Sequence, residues 1–262
     1  MAIAARDLAV HYQPQVRVAD GHLLGFEALV RWTHPEHGQV PPSTFIPLAE
    51  ESGLMAELGE WVLRTVCREA PAGTGWRASL STCRRSRSSR ATCPAWSMPS
   101  CSTPASARSA SNWRSPRASS SRDIDRALHT LRRLKVLGIK IAMDDFGTGY
   151  SSLSYLSEFR FDKIKIDRAF VTGIQERKRA LTIIQSVVTL GRGLGMDIVA
   201  EGVETEAETS VMRLVGVTEL QGYFFSQALA AEHVQALIER FAQRAEQPAA
   251  DAVLRRLEQK RS

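Results

Sequence analysis

Nowhere in the 262 residues does an apolar stretch run long and unbroken enough to cross a bilayer. The opening Met1-Ala2-Ile3-Ala4-Ala5-Arg6-Asp7 also lacks the basic flank and apolar centre of a secretory signal. A cytoplasmic protein with no membrane partner is expected. Cysteine is scarce: there are four, and Cys83, Cys93 and Cys101 have spacings that match no common zinc pattern. His34-Pro35-Glu36-His37 looks like a metal pair, but Pro35 keeps both imidazoles off one helix face, and a surface loop is the simpler reading.

One stretch is poor in almost everything a core needs. Residues 78–121 contain no Asp, Glu, Lys, Val, Ile, Phe, Tyr or Gly, while fifteen of the 44 are serine and seven are arginine. Strands fill a pleated surface with β-branched and aromatic side chains, and this piece offers only Thr and two Trp. Its composition predicts disorder. Its seven arginines face no acid, so without them the net charge of +6 becomes −1. The basic excess is therefore local, and no nucleic acid polymer is expected as a partner.

The remainder is rich in strand-ending acids. Ile139-Lys140-Ile141-Ala142 runs into Met143-Asp144-Asp145-Phe146-Gly147-Thr148-Gly149, two adjacent carboxylates followed by a glycine-rich turn. Neighbouring side chains on a strand diverge, so the pair shares a ligand only if the strand stops, as Phe146-Gly147 suggests. Two carboxylates this close repel unless a cation or a shared proton neutralises them. Glu27-Ala28-Leu29-Val30-Arg31-Trp32 ends a strand-like run, Lys163, Lys165 and Asp167 share one face by period two, Ile198-Val199-Ala200 runs into Glu201 and Glu204, and Glu219-Leu220-Gln221 forms another short strand. Helix-like sequence follows most of these segments; Ala180 to Leu194, for instance, closes at Gly195. The pattern predicts an α/β chain, a (β/α)8 TIM-like barrel with its chemistry at the C-terminal mouth, and the length suits one such domain.

Taken together, Tyr12-Gln13-Pro14, Glu27-Ala28-Leu29 with Arg31, Asp144-Asp145-Phe146-Gly147-Thr148-Gly149, Lys165-Ile166-Asp167, Glu201-Gly202-Val203-Glu204 and Gln221-Gly222-Tyr223 resemble the EAL domain family of bacterial cyclic di-GMP phosphodiesterases. The resemblance covers residues 8–77 and 122–240 and implies an EAL-type barrel with an antiparallel first strand, disrupted at about 80–121. It places the domain at 1–246 and leaves 247–262 as a charged, helix-prone tail. It implies two Mg²⁺ or Mn²⁺ ions held by Glu27, Asp144, Asp145 and Glu201, with Asp144 as the bridge. Lys165 would orient or deprotonate the attacking water, Glu201 and Glu204 would complete the catalytic set, and Gln13, Leu29, Arg31 and Gln221 would contact cyclic di-GMP. A homodimer through the loop and helix after Asp145 is a further implication.

Two family motifs are missing between the first and third catalytic strands, and an alternative reading frame supplies both. Ser81-Thr82-Cys83-Arg84-Arg85-Ser86-Arg87 can be encoded so that reading from the third base gives Asn-Leu-Ser-Pro-Val-Gln. Ser111-Asn112-Trp113-Arg114-Ser115-Pro116-Arg117 likewise gives Gln-Leu-Glu-Ile-Thr-Glu. One frameshift near residue 80 and a compensating one near 121 would produce this chain. By resemblance, the Asn of the first string and the first acidic residue of the second are metal ligands, absent here, and two of the eight barrel strands are expected to be lost with them. Three outcomes stand open: hydrolysis of cyclic di-GMP to linear pGpG, a degenerate module that binds the nucleotide or a protein partner, and a frameshifted product without stable function.

Overall fold

A computed structural model describes residues 7–69, 78–80, 110–113, 128–129, 131–133, 135–136, 140–146, 156 and 158–244, with backbone alone at Ala56, 78–80, 110–113 and Asp145. The expectations for the 247–262 tail and for the loop after Asp145 lie outside these residues.

The chain opens on a hairpin of β1 (Leu8–Arg17) and β2 (Leu23–His34). Asp20 shapes the connection: its Oδ1 accepts the His22 N–H at 3.0 Å, a local bond that Asp makes readily in turns. β3 (Gly38–Val40) extends β2, and α1 (Pro42–Glu51) and α2 (Met55–Glu69) follow. Then come β4 (Ala78–Leu80), β5 (Ala110–Trp113), β6 (Ile141–Phe146) and β7 (Lys163–Ile166). A one-turn helix (Arg168–Val171), α3 (Lys178–Gly193), β8 (Asp197–Ala200), α4 (Glu206–Val215), β9 (Glu219–Gln221), β10 (Leu229–Ala230) and a last helix over 231–244 complete the order.

Strand pairing closes a ring. β2, β4, β5, β6, β7, β8 and β9 run parallel in that sequence, and β1 bridges β9 to β2 antiparallel to both. This is the eight-stranded barrel with a reversed first strand that the motif order predicts; β3 and β10 are appendages. Strands buried on both faces explain why Lys163 and Lys165 alternate with Ile164 and Ile166: the isoleucines meet the helices and the lysines face the barrel interior. α3 lies close against this layer, since a Cβ on Gly191 would stand 2.1 Å from Ile198 Cδ1. A larger residue there would push the tip of the Ile198 side chain aside.

The expected loss of two strands is corrected. Phe26, Glu27 and Ala28 pair with Ala78, Ser79 and Leu80, and Ser111, Asn112 and Trp113 pair with Ile141, Ala142 and Met143. A parallel ladder is made by backbone N–H and C=O groups, which every residue but proline carries, so strong neighbours on β2 and β6 can template poor strand formers. The disruption survives as a thin seam: β4 and β5 match over two residue pairs only, Ser79 with Ala110 and Leu80 with Ser111.

Behind the barrel mouth, Glu208 fixes the loop that follows β8. Thr205 caps α4 by accepting the Glu208 N–H, while Glu208 Oε2 accepts from Glu204 N at 2.8 Å and Thr205 N at 3.1 Å. Its Oε1 accepts from Gly173 N at 2.9 Å, tying two loops together. Burial pushes the Glu208 carboxyl up, but the N–H groups of Glu204, Gly173 and Thr205 outweigh it and hold the pKa below the ordinary value. A depressed carboxylate stabilises above its unfolded pKa and loses that contribution as pH falls through the folded one. Glu208→Gln should therefore cost about 1–3 kcal/mol at neutral pH. Thermal melts should show the two proteins converging as the pH is lowered through the acid range; a constant gap would contradict the assignment.

Candidate functional site

The chemistry-bearing residues come from six consecutive members of the ring. Gln13 lies opposite Glu27 across the β1–β2 ladder, and Gln15 opposite Gln221 across β1–β9. Asp144 comes from β6, Lys165 from β7, and Glu201 is the first residue beyond β8. Glu27 is mid-strand, since β2 continues through the Ala28–Trp32 run to His34 and holds the β3 appendage. The Asp-Asp pair also solves its geometry differently from the expected stop. Met143 pairs with Ile164 and Phe146 with Ile166, so Asp144 and Asp145 together oppose Lys165 in a bulge. A bulge breaks the two-residue alternation, re-aiming side chains without ending the strand. The Asp145 side chain lies outside the described residues.

Lys165 is the centre. Its side chain is 2% exposed, and its Nζ donates to Glu27 Oε1 at 2.6 Å, lies 3.7 Å from Asp144 Oδ1 and contacts Glu201 Oε1. Burial alone would lower the lysine pKa, but Asp144, Glu201 and Glu27 reverse this and hold it well above its ordinary value. The amine is an ammonium. Glu201 shows the opposite balance: burial, with the charges of Asp144 and Glu27, pushes its carboxyl up to about 8 against the pull of Lys165. Glu27 Oε2 is held by Gln221 Nε2 at 2.5 Å, and the second proton of that amide goes to Gln13 Oε1 at 2.9 Å.

Around this cluster opens a cavity of about 250 Å³ that also reaches Leu29, Arg31, Glu204 and Tyr223. Desolvation lowers the half-buried Arg31 guanidinium, opposed by Tyr223 and Glu27. Its Nη1 donates to Val30 O at 3.2 Å. Gln13 Nε2 reaches Ser226 O at 3.3 Å. Glu204 stands apart from Lys165, at the solvent edge of the cavity, with Oε1 3.9 Å from Arg168 Nη2. Asp167, expected beside the lysines, lines the same cavity and caps the one-turn helix by accepting Ala169 N–H at 2.7 Å. Gly222 allows the β9 loop to lie on the β8 loop, since a Cβ there would meet Val203 O at 2.0 Å. His34 and His37 form a stacked turn, with His34 Nδ1 accepting the N–H groups of Glu36 and His37.

Among the described residues no three Asp, Glu, His or Cys side chains stand ready around one ion position, and Lys165 Nζ occupies the point where the carboxylates converge. The donor set nonetheless suits a hard divalent cation. Its atoms are carboxylate oxygens, and with Glu27, Asp144 and Glu201 around one ammonium their formal charge exceeds what Lys165 supplies.

Comparison with known proteins supplies the family. The model described as "EAL domain" matches residues 1–81 and 116–228, lapsing over much of the anomalous stretch. The chain belongs to the EAL domain family. Among its relatives, an uncharacterised signalling protein of Caulobacter vibrioides is 47% identical over 226 residues, covering 84% of this chain and 27% of that protein. The bifunctional diguanylate cyclase/cyclic di-GMP phosphodiesterase MucR of Pseudomonas aeruginosa is 36% identical over 247 residues, covering 90% and 35%. The chain thus spans about a third or less of these relatives. A solved PaMucR phosphodiesterase in complex with cyclic di-GMP superposes with TM-score 0.72 at 34% identity, covering 89% of this chain and 96% of that one. The EAL-type barrel is borne out. Klebsiella pneumoniae BlrP1, solved with calcium and cyclic di-GMP, matches at TM-score 0.65 and 26% identity, covering 88% and 58%. No helix of the described residues is long and apolar enough to cross a membrane.

Sequence reasoning missed Gln15, although Gln13 and Gln15 at period two on a strand already placed two amides on one face.

Removing the ammonium tests the cluster. Lys165→Met leaves buried carboxylates without their counter-charge and should cost about 3–5 kcal/mol. Millimolar Mg²⁺ or Mn²⁺ should raise the melting temperature of the variant more than that of the unsubstituted chain. An equal response of both would show that the carboxylates do not hold the ion.

Proposed function

We propose that the cavity receives cyclic di-GMP and that the site is built to open one phosphodiester, giving linear pGpG. What supports this reading is the buried ammonium of Lys165, meeting the carboxylates of Glu27, Asp144 and Glu201 at a mouth that also carries Arg31. In the reaction one P–O bond to a 3′ oxygen breaks, a water oxygen takes its place on phosphorus, and one water is consumed. Arg31 offers a planar fork to a phosphate oxygen. Lys165, whose pKa is held above its ordinary value by Asp144, Glu201 and Glu27, positions the water and offsets charge growing on phosphorus. Gln221 and Gln13 hold Glu27 and the cavity wall with neutral donors. Glu27, Asp144 and Glu201, joined by Asp145, would hold Mg²⁺ or Mn²⁺. Such ions supply Lewis acidity and a more acidic water.

This chain as written carries that site incompletely, because Thr82 and Trp113-Arg114-Ser115-Pro116-Arg117 stand where the family motifs would provide two more ligands. We attribute the lapse to a shifted frame. Trp96, Met98 and Trp113 have single codons, which leaves little freedom when reading from the third base. Ala95-Trp96 must then give Leu, Val or Met, Met98-Pro99 must give Ala, and Asn112-Trp113 must give Leu. One codon choice across 91–106 reads Asp-Leu-Pro-Gly-Leu-Val-Asp-Ala-Val-Leu-Leu-Asp-Thr-Gly-Leu. That string has an N-cap acid, an early proline, an apolar helical stripe and a closing glycine. The present chain is accordingly a nucleotide-binding EAL module with strongly reduced turnover.

Calorimetry with cyclic di-GMP and separation of products in Mn²⁺ test both parts. The chain as written should bind the nucleotide, and the frame-restored chain should turn it over faster by on the order of a hundredfold or more. Arg31→Ala should weaken nucleotide binding by about 10- to 100-fold, the value of a charge-assisted hydrogen bond. Nucleotide bound by neither form would sink the proposal, as would a gene whose codons at 81–121 cannot encode the hidden strings.

A further inference from the structure

Gln15 carries no family motif, yet it is 94% buried at the mouth, within a chain of amides that has only one consistent direction (6% exposed). The direction is dictated from Glu27. A carboxylate accepts only, so Gln221 must turn its NH₂ toward Glu27 Oε2, 2.5 Å away. Its other N–H goes to Gln13 Oε1 at 2.9 Å, which leaves Gln13 to donate from Nε2 to Ser226 O at 3.3 Å. The Gln221 carbonyl must then face the remaining neighbour, and that neighbour must be a donor. Gln15 Nε2 fills the role at 2.9 Å, from the position directly opposite Gln221 in the β1–β9 ladder.

We propose that Gln15 is a positioning residue: it locks the Gln221 amide with its NH₂ toward Glu27, and so sets the carboxylate rotamer that presents Oε1 to Lys165. Without that donor the Gln221 carbonyl is left buried and unpaired, and an amide flip that repairs it turns an oxygen toward Glu27 Oε2. Gln15 thus acts on the site from one residue further out than any group that reaches Glu27. The inference rests on Glu27 serving the metal and nucleotide site proposed above.

The test uses the full chain with Gln15→Met, which keeps length and removes the donor, Gln221→Ala, and the double variant. Side-chain ¹H–¹⁵N amide spectra, with the Gln221 signal assigned by its absence in Gln221→Ala, report the amide directly and need no metal. In Gln15→Met the Gln221 amide protons should shift and exchange faster; an unmoved, equally protected signal overturns the proposal. Binding of Mn²⁺ alone gives the second reading. Gln15→Met should weaken it by about tenfold, as expected for loss of an outer hydrogen-bond partner. In the Gln221→Ala background the same substitution should add almost nothing, whereas additive losses would mean that Gln15 merely packs. If the unsubstituted chain binds no Mn²⁺, the metal assignment fails while the amide spectra still decide on Gln15.

Discussion

A lysine sealed inside a barrel with carboxylates from three strands is the constraint from which the mouth takes its shape. Each partner alone would be expelled by desolvation, since an isolated buried charge is among the costliest features a fold can carry. Together they are tolerated, because Glu27, Asp144 and Glu201 surround one ammonium that sits on β7 between the strands bearing Asp144 and Glu201. The balance is incomplete. Burial and the neighbouring charges of Asp144 and Glu27 raise the Glu201 carboxyl against the pull of Lys165, so anionic charge in the site exceeds what one ammonium offsets.

The neutral half of the mouth does a different job. Three glutamines, Gln13, Gln15 and Gln221, hold the remaining oxygen of Glu27 and each other without adding charge. Amides provide donors and acceptors in one planar group, so they can pass a defined orientation from strand to strand. The antiparallel β1 matters here. It faces Glu27 on one side and Gln221 on the other, and it carries two of the three amides.

Much of this was readable from residues alone, and the reasons it was are specific. Period two in Lys163-Ile164-Lys165-Ile166 separates a helix-facing side from an interior side, and the structure keeps that division. Ile198-Val199-Ala200 ahead of Glu201 reads as a buried strand delivering an acid, and β8 does so. Asp144-Asp145 was legible as a shared feature but not as a bulge, because a bulge depends on how Ile164 and Ile166 register against β6, which is long-range information. Gln15 stayed hidden because its role arises from a residue more than two hundred positions away. The serine-rich stretch misled in the opposite direction. Side-chain composition argued against strands, while backbone ladders formed at Ala78–Leu80 and Ala110–Trp113 against better-formed neighbours.

The two-pair seam between β4 and β5 has a consequence for how function is distributed around the ring. Every described donor, from Asp144 through Lys165, Glu201 and Gln221 to Gln13 and Glu27, lies on one unbroken arc, β6-β7-β8-β9-β1-β2, that bypasses the seam. On the function proposed above, whatever β4 and β5 lack would be subtracted from the site without scrambling the residues on the arc. Such a barrel can lose its capacity to turn over a ligand while keeping the contour that recognises it.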